Sequence, residues 1–150
     1  MKKPMKILAA LEFTEDPREL LQRALSVAKK YEAKIYTLHV IEEMPRQSLY
    51  YDAYKVWEDF RDKAVKETIE KMNTYIKELA GDFIDIEPII EVGLSCDKIL
   101  KMADTLDVDL IIMGHHVRKG VFRHLVSSNN VEKVVRLSTR PVLTFSIDVA

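Results

Sequence analysis

A single cysteine, Cys96, stands in this chain of 150 residues. One thiol can form neither an intrachain disulfide nor a cysteine-rich zinc site. No apolar run approaches the roughly 20 residues that span a bilayer. The opening MKKPMKILAALEF lacks the long apolar core and small-residue cleavage site of a signal peptide, so a cytoplasmic protein away from membranes is expected. Neither sign of charge dominates. A net charge of −1 and a pI near 6.4 leave no global field toward anionic surfaces. Nucleic-acid binding is disfavoured, because one short basic loop is a weak electrostatic footprint. Glycine is scarce, with four in the whole chain. Two of them, Gly114 and Gly120, fall within GHHVRKGVFRHLVSSNNVE, a stretch placed like a phosphate cradle. Such cradles normally carry more.

What is present suits one globular domain over residues 1–150, with 47% apolar and 31% charged residues. A chain of this length buries about two-thirds of its unfolded surface. KILAALEF, from Lys6 to Phe13, reads as a buried parallel strand. Asp16 as cap, Pro17 at the first helical position and Glu19 as capping-box partner open a helix. Leu20, Leu21, Ala24, Leu25 and Ala28 give that helix one apolar face. Ala33 to Glu42 is a second strand, rich in β-branched and aromatic residues. A long helical pattern runs from Ser48 to about Ala80, closed by Gly81, although its first part around RQSLYYDAY could also be a loop. FIDIEPIIEVG is a third strand, placed at an edge or a bulge by its internal Pro88. Ser95 caps a helix through Ile99, Leu100, Ala103 and Leu106. DLIIMG is a central strand, and the loop begins at its glycine. Asn129 and Glu132 form a capping box opening a helix with Val131, Val134, Val135 and Leu137, and RPVLTFSI closes the series.

Strands alternating with helices imply an open five-stranded parallel α/β sheet with flanking helices. Ligands of such sheets sit beyond the carboxyl ends of the strands, where the strand order reverses. LEFTED, HVIEE and MGHHVRKG are the segments expected there.

Three segments carry a resemblance to a known family: KILAALEFTEDPRELLQRALSVAKKYEAKIYTLHVIE, ILKMADTLDVDLIIMGHH and VEKVVRLSTRPVLTF. Together they make the chain resemble the universal stress protein family. The resemblance implies a Rossmann-like fold of the adenine nucleotide alpha hydrolase-like kind and a homodimer formed through the C-terminal strand. It also implies a stress-response role and, in the members that bind it, ATP with Mg2+. Those members carry Gly, two residues, Gly, nine residues, then Gly followed by Ser or Thr. Gly114, preceded by Met113, matches the first glycine. Val117 stands at the second. Ser128 falls at the third when Asn129 is aligned with the Ser or Thr, and Ser127 when the nine-residue spacing is kept. Glu12 replaces the family's usual aspartate, and Val40 matches a position lining the adenine pocket.

Valine avoids positive φ, so Val117 should alter the path of the loop. Serine is small and can itself donate to a phosphate. Asn129 leaves the free N–H groups of a helix start available to an anion. Arg118, Lys119 and Arg123 give the loop positive charge with no acidic residue between Gly114 and Glu132. His116 could donate to a phosphate, although a polar loop histidine is the simpler reading. His115 and His116, adjacent in an extended segment, point to opposite faces and poorly chelate one ion, so no metal site is expected. His39 reads as a hydrogen-bonded core residue and Cys96 as a small side chain in a first turn. Tyr50, Tyr51, Tyr54, Trp57 and Phe60 form an aromatic stripe that reads as core more readily than as a partner surface.

Two functions stay open. One is a regulatory protein binding ATP or another adenine nucleotide through Glu12, Val40, Met113, Gly114, His116, Val117, Ser127, Ser128 and Asn129. The other is a homodimeric interaction module that binds no nucleotide and docks an acidic partner with its basic loop. No nucleophile is aligned with a general base, so no catalytic residue is assigned. Slow ATP hydrolysis with Glu12 or His116 activating water is the enzymatic rival.

Overall fold

A computed structural model describes residues 5–12, 16–43, 51–82, 85–117 and 129–148. Within these, nine elements alternate: β1 (Lys6–Ala10), α1 (Arg18–Lys30), β2 (Lys34–Glu42), α2 (Tyr51–Leu79), β3 (Ile86–Gly93), α3 (Ser95–Leu106), β4 (Leu110–Val117), α4 (Asn129–Leu137) and β5 (Val142–Asp148). The strands form one parallel sheet in the order β3-β2-β1-β4-β5. This is the open five-stranded α/β sheet that the alternation predicts.

Period-two alternation divides the strand residues between two helical layers. Ile7, Ala9, Ile35 and Ile112 face α1 and α2, where Leu21, Ala24, Ala28 and Met72 meet them. Leu8, Tyr36, Leu38, Ile111 and Met113 face the other way, against Cys96, Ile99 and Ala103 of α3 and Val134 of α4. A sheet covered on both faces needs apolar residues at consecutive positions, which is why KILAA and LIIM read as unbroken runs. β3 is an edge strand, the first of the two places open to Pro88, with Pro88 in register with Thr37.

The expected face of α1 is buried in full. Asp16 Oδ1 accepts the Arg18 amide at 3.0 Å, but Pro17 holds the cap position, its carbonyl accepting from Leu21, and α1 begins at Arg18, so cap and first helical position fall one residue later than expected. The other half of that capping box is not made, because Glu19 pairs with Arg23 one turn on. Glu132 likewise turns to Arg136 at 2.7 Å, and Asn129 is already the first residue of α4. Ser95 is not a cap either. Leu94, in extended conformation, holds that position, and its carbonyl accepts from Lys98.

α2 is helical from Tyr51, which corrects the loop alternative for that part; residues 46–50 lie outside the described residues. Its carboxyl end packs on the sheet through Met72, with Tyr75, Ile76 and Leu79 around it. Gly81, at φ +56°, follows the helix end in the left-handed region that glycine adopts without strain. Farther back, Val56 is 70% and Phe60 66% exposed, so the aromatic stripe is not core throughout. Val135 and Leu137 of α4 are exposed as well, leaving Val134 as the buried residue of that expected face.

Candidate functional site

The connections that leave β1 for β2 and β4 for β5 run in opposite directions along the sheet, so the strand order reverses between β1 and β4. A cleft opens there, at the carboxyl ends of the strands, as the topology demands. It encloses about 50 Å³ and opens through its mouth to solvent.

Four of the residues expected from the sequence come together in its wall. Glu12 follows the end of β1, Val40 lies near the end of β2, and Met113 and Gly114 belong to β4. Leu38 and Ile99 add apolar surface beside Val40 and Met113. Gly114 is a strand residue here and not the first residue of a loop. β4 continues to Val117, in register with β5 up to Val117 and Asp148. Residues 114–117 thus keep a partner strand, and the extended ladder moves the loop's start beyond them. A Cβ on Gly114 would stand 3.1 Å from Ile147 Cγ1 and 3.3 Å from Leu20 Cδ2. Close approach of α1 and β5 to this strand explains the glycine.

His116 and Val117 complete β4, with backbones in register with Ile147 and Asp148. Asn129 opens α4. Ser127, Ser128, Arg118, Lys119 and Arg123 lie outside the described residues. His115 Nε2 and Ser146 Oγ share a cross-strand hydrogen bond at 3.0 Å.

Two residues of the wall carry polar groups that the sequence reading put to other uses. Asp16, read as a helix cap, also lines the cleft. The Arg18 backbone amide, first of all, and then the Arg18 guanidinium hold its carboxyl below the usual carboxylate range. Arg18 reaches on to Glu78 at 3.1 Å and stacks over Tyr75, tying the start of α1 to the end of α2. His39, read as core, is half-buried in the wall. Its Nδ1–H donates to the Leu11 carbonyl at 2.8 Å, an assignment forced by an acceptor that has no proton to give. Burial pushes this imidazole below its ordinary value. The Leu11 carbonyl and the Glu12 carboxylate oppose that shift, and Lys71 adds to it. Both belong to segments, LEFTED and HVIEE, that the sequence already sets at the carboxyl ends of the strands, although neither residue is singled out there for the site.

Cys96 packs in the layer between the sheet and α3, and burial pushes its thiol up, against the reactivity a helix N-terminus would confer. Among the described residues no group of three His, Cys, Asp or Glu side chains is placed to hold a metal ion, and no helix is long and apolar enough to cross a membrane.

The family model described as the universal stress protein family matches residues 4–146. The chain belongs to that family. Universal stress protein MJ0577 of Methanocaldococcus jannaschii is 28% identical, over 92% of this chain and 92% of its own length. Universal stress protein A homolog 2 of Coxiella burnetii is 32% identical, over 83% of this chain and 84% of its own. The solved structure of MJ0577 superposes with a TM-score of 0.77, covering 97% of this universal stress protein and 98% of that chain. A more distant likeness, at 20% identity and a TM-score of 0.62, is the universal stress protein of Archaeoglobus fulgidus in complex with dAMP, covering 93% of this chain and 96% of that one. Another, at 19% and 0.64, is a universal stress protein in complex with cAMP, covering 93% and 94%. These last two support the fold alone.

Proposed function

We propose that this universal stress protein binds an adenine nucleotide in the cleft, ATP with Mg2+ being the form to try first, and serves as a cytoplasmic regulatory protein of the stress response. The observation that carries the reading is the convergence of Glu12, Val40, Met113 and Gly114 on one cleft where the strand order reverses. Leu38, Val40, Ile99 and Met113 offer an apolar wall suited to a purine plane. Glu12 is exposed at the strand end, where a carboxylate can accept from a ribose hydroxyl. The start of α4 offers free N–H groups to a phosphate, and Mg2+ would enter held largely by phosphate oxygens. The dAMP and cAMP complexes of two family structures agree with this class of ligand. No catalytic residue is assigned.

Calorimetric titration with ATP and magnesium tests the reading, alongside chromatography of the supernatant from freshly purified, denatured protein. Micromolar affinity or a co-purified nucleotide is expected. Silence in both assays overturns it and leaves the docking role of the basic loop. The same protein is proposed to form a homodimer through β5, an edge strand carrying Val142, Leu143 and Phe145. A single-protomer mass by light scattering at micromolar concentration refutes that.

A further inference from the structure

β1 ends at Ala10, yet the chain keeps its course beyond it. The Leu11 amide donates to the Leu38 carbonyl at 2.7 Å, continuing the direction of the ladder. The Leu11 carbonyl accepts from the His39 side chain at 2.8 Å. Leu11 is also 2% exposed, its side chain packed in the layer under α1. Both backbone polar groups and the side chain of this residue are therefore held by neighbouring elements. The next residue is Glu12, exposed and in the wall of the cleft. A carboxylate on a free strand end would sweep a wide arc, and a ligand would have to order it on binding. Here the peptide that carries it is fixed beforehand, by a donor from the adjacent strand.

We propose that His39 is a positioning residue for Glu12: by clamping the Leu11 carbonyl it fixes the direction from which the Glu12 carboxylate meets the ribose hydroxyls of a nucleoside in the cleft. The inference rests on the nucleotide reading above and assigns to His39 a share in recognising the sugar. It makes a chemical distinction between histidine replacements. Asparagine carries its amide nitrogen where histidine carries Nδ1, so His39→Asn keeps the clamp. Glutamine carries its nitrogen one bond farther out, so His39→Gln stays polar and loses it.

The test is calorimetric titration of the full chain with adenosine and with 2′,3′-dideoxyadenosine, for wild type, His39→Asn, His39→Gln, His39→Leu, Glu12→Gln and the double variant Glu12→Gln/His39→Gln. Wild type should prefer adenosine by about tenfold or more, the worth of a hydrogen bond to a charged group. His39→Gln and His39→Leu should bring that preference close to unity while leaving dideoxyadenosine affinity within about twofold. His39→Asn should retain it, and the double variant should discriminate no less than Glu12→Gln alone. Equal weakening of both nucleosides in His39→Gln would make His39 a general wall residue and overturn the proposal. So would an undiminished preference in that variant, which keeps the proposal refutable even if His39→Leu does not fold. If wild type binds neither nucleoside nor ATP, the nucleotide reading fails and this inference falls with it. If wild type binds both nucleosides equally, only this inference fails.

Discussion

Replacing Arg140 by methionine removes a guanidinium that joins α3 to the turn before β5 and keeps most of the side chain's apolar stem. Arg140 is 19% exposed. Its Nε donates to the Val108 carbonyl at 2.7 Å, its Nη2 reaches Asp107 at 3.1 Å, and its Nη1 meets Asp104. The three contacts are not equal. Asp104 and Asp107 are 71% and 68% exposed, and ion pairs with such partners are worth about 0.2–1 kcal/mol each. The bond to Val108, from a charged donor to the carbonyl of a buried residue, is worth about 1.5–3 kcal/mol. Arg140→Met should therefore cost about 2–3 kcal/mol in urea unfolding, or a drop in Tm of roughly 4–12 °C for a domain of this size. Asp104→Asn and Asp107→Asn should each cost less than about 1 kcal/mol; asparagine is chosen at Asp107 because its φ of 52° is one that asparagine tolerates. Most of the Arg140→Met deficit should survive at about 0.5 M salt, where exposed pairs are screened. If the two aspartate variants together match Arg140→Met, or salt abolishes the difference, the carboxylates carry the link and the reasoning is wrong.

Two further perturbations test the wall of the cleft. Burial holds the His39 imidazole below the ordinary histidine value of 6.5, so as pH falls the unfolded chain takes the proton first. The wild type should lose stability through the interval just below about 6.5 and gain nothing above it, and His39→Asn should lack that slope in urea unfolding followed from about pH 7.5 to 5.5; parallel profiles would contradict it. Gly114→Ala sets a strain of about 1 kcal/mol, the low end for overpacking because Leu20 and Ile147 can lean into the cleft, against a gain of about 0.4–1 kcal/mol from a stiffer unfolded chain. Stability should stay within about 1 kcal/mol of wild type while adenosine affinity falls several-fold; a large loss of stability with unchanged affinity would refute this account.

The fold was legible where one local rule governed it. KILAA and LIIMG announce strands covered on both faces, and the α1 face from Leu20 to Ala28 follows from spacing alone. Pro88 narrows its strand to an edge or a bulge, because a missing N–H is tolerated at those places, and the strand is at the edge. Legibility failed where a residue's environment is made elsewhere in the chain. Arg140 finds its partners more than thirty positions away. Ser95 has the right identity for a cap, but Leu94 holds that position and Ser95 opens the helix, where serine is also accommodated. The glycine at 114 looks like a loop's beginning until β5 is set beside it and the ladder runs on to Val117. In α2 the helical spacing persists over 29 residues. Spacing reports that a face exists and not that anything covers it, so Met72 is buried while Phe60 is exposed.

The same limit accounts for His39. Alternation along β2 places it on the side of Ile35 and Thr37, both fully buried, and an apolar strand containing one histidine reads as core. A strand face is core only as far as another layer lies over it. At the carboxyl end of a parallel strand that layer gives way to the cleft, and the next residue on the same face meets whatever the cleft holds. Thr37 and His39, two positions apart, thus perform different tasks: the Thr37 hydroxyl is satisfied internally by Met72 Sδ at 3.1 Å, whereas the His39 imidazole clamps the end of β1 in the wall of the site. Sequence pattern alone does not mark that boundary. The strand order does, because β1 and β4 part where their connections leave in opposite directions, and polar residues just before that point on neighbouring strands are the ones to weigh as parts of a site.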